Sequence, residues 1–205
     1  MSFKLEVPEK KFQDPNDFYT EDEANRYNQS TGMKKTQEEL TKIALSLASS
    51  ILNNPSISIF DIGCGTGFSL EYLRDLGYLS LKGIDPSREM IKIAKSKKLD
   101  VKIGGFQDLS KIYEKYDLIL SISALQWVIS NKSEIEIKNI IKKIAKDLKK
   151  ILKEDGISIF QFYPDSEFVF QTVFNAFKRL FINTEMFIYN SDSLKKRKFF
   201  LIIKS

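Results

Sequence analysis

Short apolar stretches alternate with amphipathic helical stretches over most of this sequence, and that alternation limits the folds that the chain can adopt. Residues 57–62 form the first apolar stretch, and a glycine-rich turn leads from them into a helical pattern at residues 69–76. Further strands are predicted at residues 78–84, 101–103, 116–122, 157–162, 187–189 and 199–203, and further helices at residues 87–97, 133–152 and 167–178. Repeated β-α-β units indicate an α/β fold with a doubly wound, mostly parallel sheet of seven strands and helices on both faces.

The region before the first strand is expected to contain an arm and two helices. Residues 1–17 are mostly polar and contain two prolines, which predicts a flexible N-terminal arm. Helical patterns begin near Thr20 and Thr36, the second lasting until about residue 53. Residues 18–205 are therefore expected to form a single domain.

The composition removes several kinds of chemistry from consideration. The 205 residues include no histidine and one cysteine, which excludes a histidine general base, a Ser-His-Asp triad, a His-ligated metal site and an intramolecular disulfide. The net charge of +5 is compatible with a nucleic-acid partner. The N-terminal residues form no apolar leader, and no apolar run approaches the ~18 residues of a membrane span, so neither is expected.

The strongest local motif follows the first predicted strand. Asp61-Ile-Gly-Cys-Gly-Thr-Gly67 lies between that strand and a helix, and its three glycines let the backbone turn tightly and approach a ligand closely. The third glycine of the dinucleotide fingerprint would stand at position 68, which is a phenylalanine. No Lys-Ser or Lys-Thr pair follows the glycines, so the motif is not a phosphate-binding P-loop either.

This motif, together with Asp85 at the end of the second strand, resembles the class I S-adenosylmethionine-dependent methyltransferases. The resemblance implies that Asp85 accepts hydrogen bonds from the ribose hydroxyls, that Asp61 orients the loop and the methionine part of the cofactor, and that the stretch after the third strand faces the adenine. S-adenosylhomocysteine would be the product. We interpret Cys64 as a small residue tolerated beside the ligand rather than as a reactive thiol. The expected cofactor-binding residues are Tyr27, Asp61, Gly63, Cys64, Gly65, Gly67, Asp85, Pro86, Met90, Gly105, Phe106 and Ser121.

Four other segments narrow the resemblance to one family. They are Asp17-Phe-Tyr-Thr-Glu-Asp-Glu-Ala-Asn-Arg-Tyr27, Ser121-Ile-Ser-Ala-Leu-Gln-Trp127, Gln161-Phe-Tyr-Pro164 and Lys195-Lys-Arg-Lys-Phe-Phe-Leu201. Between about Phe18 and Ile203 the chain resembles the eukaryotic 18S rRNA (guanine-N7) methyltransferases, which act in small-subunit maturation. The chain departs from that family in three ways. Gly105 stands where an aspartate for the adenine amino group is usual, Gly32 replaces an arginine, and the lysine-rich C-terminal extension of the family is expected to be missing.

The resemblance is consistent with the composition, because methylation of guanine N7 needs no general base. N7 is a lone-pair acceptor that carries no proton, so catalysis would consist of aligning N7 with the methyl group in a dry pocket. A guanine that has left its stack also needs aromatic faces beside it. We expect Trp127, Phe162 and Tyr163 to supply those faces and Gln126 to bond the base edge, with core packing as the alternative for Trp127 and Phe162.

The family resemblance also implies partners. Its members act on the rRNA of a small-subunit precursor and pair with a small zinc-binding protein that activates several methyltransferases. The short third strand, Val101-Lys102-Ile103, should lie at a sheet edge and could accept a strand from that protein. No metal ligands are expected in this chain itself. The basic stretch from Lys195 to Lys198 is either a nuclear address, an RNA contact or a solubilising edge. The lysines of the helix from Ser133 are interpreted as a solvated face.

We expect the protein to act in the nucleus, including the nucleolus, and in the cytoplasm. Two other functions remain open. One is methylation of a small molecule on the same fold, which would show little salt dependence. The other is a ribosome-assembly factor that has kept the fold and lost the catalysis, which Gly105 and Gly32 would explain.

Overall fold

Seven strands form one mixed sheet, in the order β3-β2-β1-β4-β5-β7-β6, in a computed structural model that describes residues 7–193 and 196–205. The strands are β1 (Ser58–Ile62), β2 (Ser80–Asp85), β3 (Val101–Ile103), β4 (Tyr116–Ile122), β5 (Leu152–Phe162), β6 (Asn183–Tyr189) and β7 (Lys198–Lys204). The first five run parallel to one another, and β7 lies antiparallel between β5 and β6. The predicted fold class, including the antiparallel last strand, is therefore confirmed.

Helices cover both faces of this sheet. They are α1 (Pro8–Lys11), α2 (Pro15–Phe18), α3 (Glu21–Gln29), α4 (Thr31–Leu47), α5 (Phe68–Asp75), α6 (Arg88–Ser96), α7 (Leu125–Ile129), α8 (Glu134–Ile151) and α9 (Glu167–Lys178), with 3-10 helices at Ser49–Ile51 and Phe106–Lys111. Neighbouring strand residues point to opposite faces. Phe60 therefore packs in the core beneath α8 and α9, whereas Ile59 packs in the core beneath α4, α5 and α6.

Several boundaries differ from the sequence expectations. Helix α4 begins five residues before Thr36, because the hydroxyl of Ser30 caps it by accepting the N–H of Met33 at 3.3 Å. The predicted end of that helix becomes a separate 3-10 helix. Strand β5 begins at Leu152, which pairs with Tyr116 ahead of an irregular register. The short helix α7 was not predicted, since a single turn carries too little periodicity to be recognised.

The N-terminal segment is the largest difference from the sequence expectation. Residues 1–6 lie outside the described residues, but residues 7–17 contain two short helices where a flexible arm was predicted. Pro8 and Pro15 each begin a helix, since the first helical position does not need an N–H donor. The carbonyl of Lys10 accepts a hydrogen bond from the side-chain amide of Asn131 at 2.9 Å, which fixes α1 beside the loop after α7. The boundary of the main domain at residue 18 stays a prediction.

Within residues 7–193 and 196–205, none of the helices combines the length and the apolar character that a membrane crossing requires. Lys195 of the basic stretch lies outside this description, whereas Lys198 is the first residue of β7.

Candidate active site

The loops that follow the carboxyl ends of β1 to β5 surround one cavity of about 1040 Å³. The strand order reverses between β1 and β4, since β2 and β3 lie on one side of β1 and β5 lies on the other. Such a switch point opens a crevice in which doubly wound sheets bind their ligands. Helices α1 and α2 contribute to the wall from the N-terminal side.

The glycine-rich loop forms the floor of the cavity. The N–H groups of Gly63 and Cys64 both donate to the carbonyl of Ile84, at 2.8 and 3.0 Å, which ties the loop to the end of β2. Gly63 has a φ of +81°, and a Cβ there would lie 2.3 Å from the Cβ of Ala124. Gly67 has a φ of +89°, and a Cβ there would lie 2.2 Å from the side chain of Leu99. Any larger residue at either position would push the loop out of this shape.

Asp85 stands at the point where β2 ends and lines the cavity. Its Oδ2 accepts the N–H of Gly65 at 2.9 Å, and its Oδ1 accepts the N–H of Ser87 at 2.8 Å. Each carboxylate oxygen can accept more than one hydrogen bond. Asp85 therefore shapes the loop and keeps acceptor capacity for a ligand.

Asp61 lies close enough to Asp85 for the two carboxyl groups to influence each other. Burial raises the pKa of Asp61 to about 7, and the negative charge of Asp85 adds to that shift. Burial also raises the pKa of Asp85 to about 6, against the opposing effect of its two backbone hydrogen bonds. The Oδ1 atom of Asp61 is buried without a hydrogen-bond partner among the described residues. A cationic ligand group would relieve the cost of holding these two carboxylates in a buried site.

A second wall follows β3. Gly105 is extended, and its N–H donates to Oδ2 of Asp108 at 3.1 Å. A Cβ at Gly105 would meet only the flexible end of Gln107, at 2.7 Å. Phe106 is buried and contacts Phe160 edge-on, with ring centroids 5.9 Å apart. The adenine-facing stretch expected from the sequence thus does border the cavity.

The third wall follows β4 and carries an acceptor without a partner. Ser123 adopts a left-handed backbone with a φ of 56°, and its hydroxyl lies 2.7 Å from the side-chain oxygen of Gln161. This bend leads the chain into α7, where Gln126 donates from Nε2 to the carbonyl of Ser123 at 2.9 Å. The Oε1 atom of Gln126 is buried and unpaired among the described residues, in a side chain that lines the cavity.

Aromatic rings stand around the same opening. Trp127 lies beside Phe18 and Tyr19, with centroid distances of 5.9 and 5.6 Å. Tyr27 stacks on Phe68 at 5.6 Å and contacts Tyr19 edge-on at 6.1 Å. Burial raises the pKa of Tyr27 to about 12 and raises that of Tyr19 further, so both phenols stay protonated. Sequence reasoning missed Tyr19, although it lies within the quoted Asp17–Tyr27 segment.

Tyr163 reaches the cavity from the end of β5, as expected. The Lys198 ammonium donates to its phenolic oxygen at 3.0 Å and lies 4.8 Å from its ring centroid. A lysine of the predicted basic stretch therefore holds a cavity side chain in place.

Most of the expected site residues come together, and four lie behind the cavity surface. Those that line it are Tyr27, Gly63, Cys64, Gly65, Asp85, Pro86, Met90, Gly105, Phe106, Gln126, Trp127 and Tyr163. Asp61 and Gly67 form the two ends of the glycine loop without lining the cavity. The hydroxyl of Ser121 donates to the carbonyl of Ile62 at 2.8 Å. Their roles toward a ligand stay predictions.

The expectation for Phe162 needs correction. Its side chain is fully buried in the core beneath α8 and α9 and does not line the cavity. Side chains alternate along a strand, so Phe162 points into the sheet face while Tyr163, just past the strand end, is free to turn toward the opening. The core-packing alternative holds for Phe162 and not for Trp127, which borders the cavity.

The residues present fit the nucleoside and amino-acid parts of S-adenosylmethionine. Asp85 retains acceptor capacity for two hydroxyls. Asp61 carries a buried oxygen that has no partner within residues 7–193 and 196–205 and that suits a cationic group. The thiol of Cys64 is buried against Gly83, and that burial, with the nearby carboxylates, raises its pKa. Cys64 therefore lacks the thiolate character of a reactive cysteine.

Comparison with known proteins agrees with this geometry. A family model described as a methyltransferase domain matches residues 33–197. The 18S rRNA (guanine-N(7))-methyltransferase of Bos taurus is 30% identical over 196 residues, which cover 93% of this chain and 69% of that protein. The 18S rRNA (guanine(1575)-N(7))-methyltransferase of Saccharomyces cerevisiae is 33% identical over 159 residues, or 75% of this chain and 56% of the yeast protein.

Among solved structures, the plantazolicin methyltransferase BpumL in complex with SAH superposes with a TM-score of 0.60 over 92% of both chains. Its sequence identity is 17%, so this likeness concerns the fold alone. The family follows from the matched domain and from relatives that cover most of the chain. The glycine loop and the acid at the end of β2 agree with it. The chain belongs to the methyltransferase domain family and to the family of 18S rRNA (guanine-N7)-methyltransferases.

Proposed function

We propose that this protein transfers the methyl group of S-adenosylmethionine to N7 of a guanine in small-subunit rRNA, as a step in the maturation of the small ribosomal subunit. The observation that carries the proposal is Oε1 of Gln126, which lies in the cavity wall beside Trp127 and has no hydrogen-bond partner in the part of the chain that the structure describes. A buried acceptor without a partner costs free energy unless a ligand supplies a donor. The N2 amino group of guanine is such a donor.

The chemistry demands little of the side chains. Bound S-adenosylmethionine supplies an electrophilic methyl carbon on its sulfonium. Guanine N7 carries no proton, so a chain without histidine can bind and orient the base without a general base. Asp85 would hold the ribose, Gln126 the base edge, and Trp127 and Tyr163 the base faces. Alignment of N7 with the methyl group then supplies most of the rate.

A methylation assay on rRNA tests the proposal. The purified protein, S-adenosylmethionine and small-subunit precursor RNA should give N7-methylguanine at one position, which chemical cleavage at that base maps. The Gln126→Leu variant should lose most of this product while it binds S-adenosylhomocysteine normally in calorimetry. Gln171→Leu, on the exposed face of α9, is the matched control.

Three outcomes would contradict the proposal. If small-subunit rRNA from cells that lack the protein had an unchanged N7-methylguanine pattern, the assigned reaction would be excluded. Efficient methylation of low-mass acceptors with little salt dependence would favour a small-molecule methyltransferase. If the protein, purified together with the activator partner proposed below, did not bind S-adenosylhomocysteine, a non-catalytic assembly factor would be favoured.

We also propose that a small zinc-binding activator protein pairs with the free edge of β3. That strand has one neighbour in the sheet, β2. Lys102 and Ile103 are exposed, with Ile103 57% accessible. An edge strand of this kind can accept a strand from another chain. Co-expression should give a heterodimer that co-purifies and is more active than the chain alone, and failure of the two chains to co-purify would argue against the pairing.

A nuclear and nucleolar location, with a cytoplasmic pool, accompanies this function as a proposal. Fluorescence imaging of the tagged full chain tests it, and exclusion from the nucleus would overturn it.

A further inference from the structure

A groove of about 640 Å³ lies outside the cavity, along the exposed face of α8. Five exposed lysines line it: Lys142, Lys143, Lys146, Lys149 and Lys150. Ser110 and Leu180 form its sides, and Asp147 lies in its floor. We call this surface the lysine groove. Its five lysines and one aspartate give a net charge of +4, against +5 for the whole chain. Such an accumulation of one charge is more than a solvated helix face requires.

The floor of the groove holds part of this charge in a fixed position. Asp147 is 4% exposed and accepts from Lys143 at 2.9 Å and from Lys150 at 2.8 Å. Burial opposes ionisation of Asp147, but the two ammonium groups lower its pKa overall, so it stays charged. Lys149 is fixed as well, since it donates to the carbonyl of Leu180 at 2.9 Å. One carboxylate thus orders two cations and neutralises only one.

Two lysines are left to meet a ligand. Neither Lys142 nor Lys146 has an ion pair or a side-chain hydrogen bond within the residues that the structure covers. They are one helical turn apart on α8, so their side chains project from neighbouring points of the same face. Two free cations beside three ordered ones form a surface suited to a chain of repeated negative charges.

The lysine groove continues into the cavity. Lys143 lines both, and its ammonium also donates to the carbonyl of Gln107 at 3.2 Å in the wall that follows β3. A polymer whose base enters the cavity would therefore extend over Lys143 onto the groove. From this continuity we propose that the lysine groove binds the phosphate backbone of the substrate RNA next to the methylated guanine. The inference rests on the proposed function, because it assigns the RNA of that reaction to a path on the surface.

The charge of the groove implies a measurable salt dependence. Each phosphate contact on single-stranded RNA contributes a slope of about −0.7 to the logarithm of the binding constant against the logarithm of the salt concentration. The Lys142→Gln, Lys146→Gln double variant should reduce the steepness of that slope by about 1.4 and weaken binding roughly tenfold at ~0.1 M salt. The probe is a fluorescein-labelled single-stranded RNA of mixed sequence, and the readout is fluorescence anisotropy of the full chain.

The matched control removes the same charge elsewhere. Lys35 and Lys42 are exposed on α4, on the opposite face of the sheet. The Lys35→Gln, Lys42→Gln double variant should keep the wild-type salt slope to within the error of the measurement. Both variants should bind S-adenosylhomocysteine as the wild type does, which shows that the fold and the cavity are intact.

The outcomes distinguish this inference from the proposed function. Equal losses in the two double variants, no loss in either, or no measurable RNA binding by the wild type would each overturn the groove assignment. Binding to anionic phospholipid vesicles that depends on Lys142 and Lys146, with RNA binding unchanged, would assign the groove to a membrane surface instead. Because the readout is RNA binding, a failure of guanine methylation alone would leave the groove assignment standing.

Discussion

The N–H of Gly65 donates a hydrogen bond to Oδ2 of Asp85 at 2.9 Å, and this contact joins the glycine loop to the end of the neighbouring strand. The two residues are 20 positions apart in the sequence. The other carboxylate oxygen of Asp85 accepts the N–H of Ser87 at 2.8 Å. The side chain expected to bind the ribose is therefore already oriented by the backbone before any ligand arrives.

Replacement of Asp85 should separate binding from folding. Asp85→Ala removes the acceptor for the ribose hydroxyls and one fixing point of the loop, so the affinity for S-adenosylhomocysteine should fall at least about a hundredfold, or ~3 kcal/mol. The variant should still unfold cooperatively, because it loses a buried carboxyl group whose ionisation is costly. Calorimetry and thermal unfolding measure the two effects. Asp75→Ala, at the exposed end of α5, is the control, and unchanged affinity in Asp85→Ala would exclude the site assignment.

Acidification should affect cofactor affinity and stability in opposite directions. The pKa values of Asp61 and Asp85 are raised to about 7 and about 6, mainly by burial. The native state thus binds more protons than the unfolded state between about pH 4 and pH 7, and the free energy of unfolding of the free protein falls as the pH rises through that window. The affinity for the cationic S-adenosylmethionine should instead rise with pH, because only the ionised carboxylates attract it.

Calorimetry and thermal unfolding between about pH 5 and pH 8 check both trends. Asp61→Asn keeps the shape of the side chain and should remove the upper part of each pH dependence. Affinity that is flat across this range in the wild type would mean that the two carboxylates do not face the cationic part of the cofactor.

A carboxylate at position 105 should strengthen cofactor binding. Gly105 is extended rather than left-handed, so a side chain is allowed there, and only the flexible end of Gln107 stands in its way. An aspartate would face the adenine side of the cavity, where the family resemblance implies a partner for the adenine amino group. Gly105→Asp should tighten S-adenosylhomocysteine about fivefold, the ratio that one hydrogen bond of ~1 kcal/mol gives. Gly105→Leu has a side chain of similar size without the acceptor and should not tighten it.

The sequence was sufficient to predict the parallel sheet and the positions of the loop residues, because both follow from local patterns. The alternation of strands and helices predicted the sheet, and Asp61, Gly65 and Asp85 lie at strand ends that a parallel sheet brings to one edge. The same local patterns could not show that Phe162 is buried in the core while Tyr163 lines the cavity. Whether the last residue of a strand points into the core or toward the opening depends on the register with β7, where Phe162 pairs with Phe199.

The N-terminal contacts could not be predicted from local sequence patterns either. The two prolines made residues 7–17 resemble a flexible arm, and nothing near them in the sequence indicated the hydrogen bond from Asn131, 121 positions away. The lysines of α8 form an ordinary charged helix face in the sequence. The spacing of Lys143 and Lys150 from Asp147 is local to the helix, but the groove forms only because the helix lies beside Ser110 and Leu180.

The corrected position of Phe162 leads to a stability prediction. Its ring is fully buried, so Phe162→Ala should lower the free energy of unfolding by about 3–5 kcal/mol. Denaturant unfolding measures this loss. Phe162→Leu keeps most of the apolar volume and should methylate rRNA at close to the wild-type rate while it is folded. A selective loss of methyl transfer in the stable Phe162→Leu variant would show that Phe162 does take part in substrate binding.

Tyr19 should act as a positioning residue for Trp127. Its ring centroid lies 5.6 Å from that of Trp127, and its side chain lines the cavity. Tyr19→Ala would leave the indole without support on one side and admit water, so single-turnover methylation of rRNA should slow roughly tenfold to a hundredfold. Burial keeps the phenol protonated, so it does not act as a phenolate base. If the ring alone supports the indole, Tyr19→Phe should restore most of the rate. The affinity for S-adenosylhomocysteine should change little in Tyr19→Phe. If Tyr19→Phe is as slow as Tyr19→Ala, the hydroxyl takes part in the reaction and the positioning role is wrong.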